Sequence, residues 1–264
     1  MFTRPEIPVD RKPRPEVAAA LRECPDIETS SDEYAQRFAG AAGQYLLDVQ
    51  ARGVEQLMQG LPSSKMLDVG GGHGQLTASL LRRAGDVTLF GSDDSAHSRV
   101  RERFPDAGIH YASGDLLHLP YADRTFDVVM AVRLLAHITA WQDFLAELCR
   151  VARHSVIIDY PSWRSGNALT PLLFPFKKNV EKNTRMYTCY FASRIAREFR
   201  LRGFQPSESY NQFILPMVLH RAMSSPRWMR AFERASRAVG LTALFGSPVL
   251  LRAQRNDAPD HGTR

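Results

Sequence analysis

Cysteine is scarce: Cys24, Cys149 and Cys189 are the three in 264 residues, far apart and odd in number. With no C-x-x-C pair among them, neither a disulfide framework nor a zinc site is indicated, no metal is expected, and a reducing cytoplasm suits the chain. Long apolar runs are missing too. No stretch reaches the ~18 consecutive apolar residues of a membrane span, and the N-terminal MFTRPEIPVDRKPRPEV lacks the apolar core of a secretory signal. Lysine is sparse, so the net charge of +6 comes almost wholly from arginines spread along the chain. Dispersed arginine is the usual mark of solvated helix faces; it favours only weakly an acidic partner such as RNA or an anionic membrane surface. Hydrophobic residues at 44% and charged residues at 23% are ordinary for a globular protein, so a core can form without staples.

Residues 1–30 read as an N-terminal arm, its first part rich in Pro and charge, and 256–264 as a polar tail. A single domain is expected over 31–255. It opens with a helical region at 31–60, interrupted near Gly40 and Gly43. Strand candidates follow at 65–69, 87–91, 109–112, 126–132 and 156–159, with helices at 75–83, 96–104 and 141–151 between them. The 126–132 run is apolar through its middle, as a strand buried on both faces should be. Residues 161–188 break the rhythm with a long, basic, proline-containing loop region, and loops of that length are commonly functional. A helix at 191–202, a strand from 203, a basic amphipathic helix at 227–239 and a last strand at 248–253 complete the pattern. The alternation predicts an α/β, doubly wound, mostly parallel seven-stranded Rossmann-like sheet with helices on both faces. Ligands on such sheets bind beyond the carboxyl ends of the strands.

The segment Met66-Leu67-Asp68-Val69-Gly70-Gly71-Gly72-His73-Gly74-Gln75 carries most of the functional signal. An apolar strand runs through an acid into a glycine turn and then a helix, whose first N–H groups are free to face a ligand. The dinucleotide fingerprint G-x-G-x-x-G would need a third glycine at 75, where Gln75 stands. The spacing Gly70, Gly72, Gly74 is G-x-G-x-G instead. No G-K-[ST] follows, which removes the P-loop. Asp68 beside the turn suits a ligand bearing an ammonium and disfavours a pyrophosphate, since like charges repel. S-adenosylmethionine carries an ammonium and a sulfonium, whereas NAD carries two phosphates.

Two further acids stand at strand ends. Asp93 lies 23 residues after Gly70, where nucleoside-binding α/β folds place the acceptor for ribose hydroxyls. Its neighbour Asp94 reads as a helix N-cap or surface charge. Asp115 ends the third strand 22 residues later, placed to accept from an adenine amino group while Leu116 packs on the ring.

The stretches MLDVGGGHG, FGSDDS, SGDLLHLPYADRTFDVVMAVRLLAHI and SVIIDYPS together resemble the successive motifs of class I S-adenosylmethionine-dependent methyltransferases, particularly the small-molecule enzymes of the ubiquinone-biosynthesis type. The resemblance is strong over about 60–160 and weaker over 31–60 and 185–255. It implies that Gly70, Gly72 and Gly74 line the methionine end of the cofactor, Asp93 the ribose, and Asp115 and Leu116 the adenine. Arg133, in a region that matches by pattern rather than letter, joins this cofactor set. Gly71, where many members carry Cys or Ala, is expected to be a harmless departure. In such families the preceding helix often carries aromatics over the cofactor; Tyr34, Arg37, Phe38 and Tyr45 are the candidates, with plain core packing as the alternative.

Methyl transfer from a sulfonium is an in-line displacement whose leaving group departs neutral, so alignment and exclusion of water do much of the work. A base is needed only when the nucleophile must lose a proton. His137, just after the fourth strand, is the candidate base or substrate orienter, with a packing role as the alternative. Asp159 and Tyr160 at the end of the fifth strand are further acceptor-side candidates, as are Arg185 and Tyr187 in the 161–188 loop, beside Trp163, Arg164, Lys177 and Lys178. The acceptor is expected to be a small molecule, methylated on O, N or C; a quinone, a lipid or another metabolite would serve. The 227–239 helix has Trp228, Met229, Phe232 and Val239 on or near one face, which leaves open contact with an anionic membrane surface or simple burial in the core. A nucleic-acid acceptor is disfavoured: the fourth strand ends in Ala131-Val132-Arg133 rather than an N-P-P-Y-like tetrapeptide, and no Pro-Cys nucleophile is present. An RNA methyltransferase and a non-catalytic cofactor-binding subunit remain the alternatives.

Overall fold

The computed structural model describes residues 23–36, 38–62, 64–71, 74–165, 188–215 and 226–256. Arg37, Gly72, Lys177, Lys178, Arg185 and Tyr187, most of the expected 161–188 loop and nearly all of the tail lie outside the described residues.

The strands are β1 (Lys65–Val69), β2 (Asp86–Gly91), β3 (His110–Ser113), β4 (Phe126–Ala131), β5 (Ala152–Tyr160), β6 (Phe204–Phe213) and β7 (Ser247–Arg255). They form one sheet in the order β3-β2-β1-β4-β5-β7-β6. The β1–β2, β1–β4, β2–β3 and β4–β5 pairs are parallel. Both pairings of β7 are antiparallel, so it slots in between β5 and β6 against the direction of the rest. The expected doubly wound, mostly parallel sheet is therefore observed, and strand order reverses beside β1, where β4 lies on the side opposite β2.

Alternation along the strands sorts the core into two layers. Leu67, Val69, Phe90, Val129, Ile158 and Leu251 belong to one layer, filled out by α6 (Trp141–Val151) and α7 (Ala192–Leu201). Met66, Leu89, Val128, Met130, Ile157 and Leu250 belong to the other, covered by α3 (Gly40–Leu57) and the short α4 (Thr77–Leu81) and α5 (Ser98–Arg103). The same alternation puts Asp68 on β1 and Asp159 on β5 on the α3 side, one on each flank of β4.

The helical region expected at 31–60 is in three pieces: α1 (Pro25–Thr29), α2 (Asp32–Gln36) and α3. The break falls before Gly40, and helix α3 runs through Gly43 rather than stopping there. A Cβ at Gly43 would lie 2.1 Å from the backbone carbonyl of Phe38, so glycine is what lets the chain fold back closely enough to set Phe38 beside the helix. The expected arm over 1–30 also ends early. Asp26 of α1 is buried, and its Oδ2 accepts from the N–H of Ser92 at 2.6 Å. Glu23 accepts from the N–H groups of Thr139 and Ala140 at 2.6 and 2.8 Å. Residues 23–30 thus strap the loop after β2 to the loop after β4.

Helix α8 (Pro226–Ala238) corrects the expected face. Met229, Glu233 and Ser236 point into the protein, while Trp228, Phe232 and Val239 are exposed a quarter-turn away. Arg230 and Arg237 fold onto the rings of Tyr45 and Tyr210 rather than flanking that stripe. Among the described residues no helix is long and apolar enough to cross a membrane.

Candidate active site

The carboxyl ends of β1 and β4 meet at a small cleft lined by Asp68, Gly71, Gln75, Leu76, Val132 and Arg133. Asp68 is 2% exposed. Burial pushes its carboxyl up to about 7, against the opposing pull of the Arg133 guanidinium. Asp159 is buried alike and raised to about 6 for the same reason, again with Arg133 acting against the shift. Two acids withdrawn from water share one cation.

Arg133 is held in an unusual conformation. Its φ of 64° lies in the left-handed region, which a non-glycine residue occupies at a cost. The hold comes from Asp159, whose Oδ1 accepts from the Arg133 N–H at 2.6 Å. Turning the backbone this way brings the guanidinium back toward the α3 side of the sheet. There it lies 5.2 Å from the ring centre of Phe38 and 6.0 Å from that of Tyr34.

The glycine loop begins with Gly70, whose N–H donates to Phe90 O at 2.8 Å, and both Gly70 and Gly74 adopt left-handed φ. At Gly71 the loop passes close to Asp68. A Cβ on it would sit 2.1 Å from Asp68 Oδ2, so an Ala or Cys would force that carboxylate to move.

The remaining candidates divide. Asp93 is exposed and caps the 3-10 turn at Asp94–His97, its Oδ1 accepting from Ser95 N–H at 2.9 Å, and this bond holds its carboxyl below the usual range. The capping role expected of Asp94 thus belongs to Asp93, while Asp94 pairs with Arg101 through two hydrogen bonds of 2.7 and 2.8 Å. Asp115 accepts from Leu117 N–H and meets His118 Nδ1, both at 2.9 Å, and stays partly open. Leu116 is wholly buried in the α6-side core, so its side chain has no exposed face to lay on a ring; that expectation is corrected.

Tyr34 lies beside the Arg133 guanidinium, but Tyr45 packs against Phe213 at 6.2 Å between ring centres, on the side of helix α8. The core alternative holds for Tyr45. Asp159 is an anchor for Arg133 rather than a side chain open to an acceptor. Tyr160 is 2% exposed and packs edge-on to Tyr190, its hydroxyl pushed up to about 12 by burial, so it belongs to the core too. His137 is half-buried on the 3-10 turn Leu135–His137, one turn beyond Arg133, and Thr188 N–H donates to the neighbouring Ala136 O at 3.0 Å. Trp163 stacks on the exposed Phe191 at 6.2 Å where the chain leaves β5.

Sequence reasoning missed Glu23 and Asp26. Nothing local marks them, because their partners lie 66 to 117 positions away.

A mostly parallel sheet with a glycine turn after β1, buried acids on the two strands flanking β4 and more open acids after β2 and β3 is the arrangement of a nucleoside-binding α/β protein. Comparison with known proteins gives the same class. A family described as "Methyltransferase domain" matches residues 67–158. Methyltransferase GfsG of Streptomyces halstedii is 34% identical over 117 residues, 41% of this chain and 42% of that protein. The ubiquinone/menaquinone biosynthesis C-methyltransferase UbiE of Teredinibacter turnerae is 33% identical over 140 residues, 45% of this chain and 56% of its own. The chain spans about half the length of the curated relatives it matches. Among solved structures, magnesium protoporphyrin IX methyltransferase of Synechocystis PCC 6803, with S-adenosylhomocysteine bound, superposes with a TM-score of 0.59 at 14% identity, covering 90% of this chain and 99% of that one. Geranyl diphosphate C-methyltransferase of Streptomyces coelicolor A3(2) does so with a TM-score of 0.55 at 17% identity, covering 79% and 77%. At such identities these two speak for the fold alone. Residues 67–158 are thus similar to a methyltransferase domain, on a sheet that solved S-adenosylmethionine-dependent methyltransferases share.

Proposed function

We propose that this protein transfers the methyl group of S-adenosylmethionine to a small-molecule acceptor. The observation that carries the reading is the pair of buried acids, Asp68 and Asp159, set around Arg133 at the mouth of the glycine loop. An ammonium entering that cleft finds in Asp68 a carboxylate already desolvated, so the attraction between them is little screened. The cofactor supplies an activated methyl on a sulfonium. The chain's own part is to bind and align: Asp68 for the ammonium, Gly70, Gly72 and Gly74 for close backbone approach, Asp93 for the ribose hydroxyls and Asp115 for the adenine amino group. His137 is the group to hold or move an acceptor proton. Trp163 and Phe191 offer a flat apolar surface that suits a planar or prenylated acceptor, in keeping with relatives named for quinone methylation.

Calorimetric titration with S-adenosylmethionine and S-adenosylhomocysteine tests the reading directly. The native protein is expected to bind both, and Asp93→Ala to weaken both by roughly ten- to a hundredfold, the scale of hydrogen bonds to a charged acceptor. Failure of the folded native protein to bind either would refute the cofactor assignment.

A further inference from the structure

Of the nine large apolar side chains exposed among the described residues, six fall between Trp228 and Phe245. Apolar residues scattered singly over a surface are ordinary, but a contiguous set marks a surface that something covers. Trp228, Phe232 and Val239 recur at helical spacing along α8 and its last turn, with Trp228 75% and Val239 72% exposed. The patch continues into the short helix α9 (Leu241–Phe245), which packs beside α8 and exposes Leu241, Leu244 and Phe245. This is no frayed end of the chain. Met229, Glu233 and Ser236 are buried, Glu233 accepts from the N–H groups of Ile214 and Leu215 at 3.1 Å each, and Arg237 Nη2 donates to Gln212 O at 2.9 Å. Those contacts fasten α8 by one face and leave the stripe, a quarter-turn round, facing outward.

The accessible charges of this segment are of one sign. Between residues 226 and 246 the ionisable side chains are Arg227, Arg230, Glu233, Arg234 and Arg237, and Glu233 is the buried one. All four arginines reach solvent. At 3.6 residues per turn, Arg227 and Arg234 follow the stripe around the helix, just beyond Ala231 and Ala238. Two copies of this face would bring arginine against arginine, which opposes self-pairing. An anionic bilayer meets both halves at once: its acyl boundary takes Trp228, Phe232 and their neighbours, and its headgroups take the guanidinium groups. We propose that α8 and α9 form a docking surface for an anionic membrane, on which the protein lies peripherally. Strand β6 runs parallel to β5, both being antiparallel to β7, so its end at Phe213 lies at the sheet edge on which the cleft opens. Asn211 Nδ2 donates to Ala243 O at 2.8 Å and ties α9 to that same edge. A docked protein therefore keeps the acceptor side of its sheet next to lipid, where a prenylated acceptor resides. The docking surface goes beyond the methyl-transfer reading and does not depend on it.

The test is sedimentation of the full chain with phosphatidylcholine vesicles, either neutral or carrying about one-third phosphatidylserine. The native protein is expected to bind the anionic vesicles at least about tenfold more tightly than the neutral ones, and to be released as salt is raised. Trp228→Ala combined with Phe232→Ala should weaken that binding about tenfold or more, the scale of two aromatic side chains returned to water. Arg227→Glu combined with Arg234→Glu should abolish the preference for anionic vesicles, and serves if the aromatic variant does not fold. Leu201→Ala, which removes an exposed apolar side chain from α7, should change nothing. Failure of the folded native protein to bind anionic vesicles would overturn the proposal and leave the stripe to an acidic protein partner. A loss in Leu201→Ala as large as that of the aromatic pair would overturn it also, since binding would then not be localised to α8. So would a native dimer, seen by sedimentation velocity, that the aromatic pair converts to monomer, because a second copy would then cover the stripe.

Discussion

Affinity for S-adenosylmethionine is expected to drop about tenfold for each pH unit below 7, reaching about a hundredfold loss near pH 5. The cause is Asp68, whose carboxyl burial raises to about 7 and which must be ionised to receive an ammonium. Below that pH the acid is protonated in the ligand-free protein, and binding must first expel the proton. Titration near pH 6.5 in two buffers of different ionisation enthalpy should therefore register release of most of one proton per cofactor. The neighbouring charges set the window: Arg133 lowers the value, and Asp159, itself raised to about 6, adds a weaker phase at more acid pH.

Stability of the free protein should run the other way. A carboxyl whose folded value lies above its unfolded value of about 3.9 keeps a proton that the unfolded chain gives up. Its contribution to folding is full below about pH 4 and is lost as the pH rises toward 7. Opposite slopes of urea stability and cofactor affinity over the same range would identify the group. Asp68→Asn should flatten the binding slope at uniformly poor affinity. A native affinity independent of pH between 5 and 7.5 would place the ammonium elsewhere.

Asp26→Ala is expected to lower the unfolding free energy by about 1–3 kcal/mol, the range for leaving a buried backbone donor without its partner. Ser92 N–H is that donor, and it sits directly before Asp93. Loosening the Ser92–Asp93 turn should also weaken cofactor binding roughly tenfold, because an acceptor that must be reordered on binding spends part of its interaction on that ordering. Urea unfolding and calorimetry on the same preparation separate the two effects. Unchanged stability would show that residues 23–30 do not dock as described.

These two variants mark the border of what local pattern can reveal. Asp68 could be singled out because its signal is compact: an apolar strand, an acid and alternate glycines within ten residues, with a missing glycine at 75 to reject the dinucleotide alternative. Asp93 and Asp115 followed from their distance along the chain, since each parallel strand with its return helix takes a similar length. Asp26 and Glu23 have no such signature. They sit in a segment whose proline-rich start reads as a loose arm, and only their distant backbone partners make them part of the site.

Alternation of strand and helix, the glycine turn and the three strand-end acids are local properties, and through them the sequence alone determined the sheet, its reading direction and the cofactor class. Which face each side chain serves was decided by the tertiary structure. Tyr160 follows Asp159 in the chain yet packs in the opposite layer, because successive side chains on a strand turn to opposite faces; Leu116 follows Asp115 yet is wholly buried in that same layer. Arg133 looked like one arginine among many. Its significance comes from Asp159 twisting its backbone and from the two buried acids that share its charge, conditions set by residues 26 and 65 positions away that no local pattern contains.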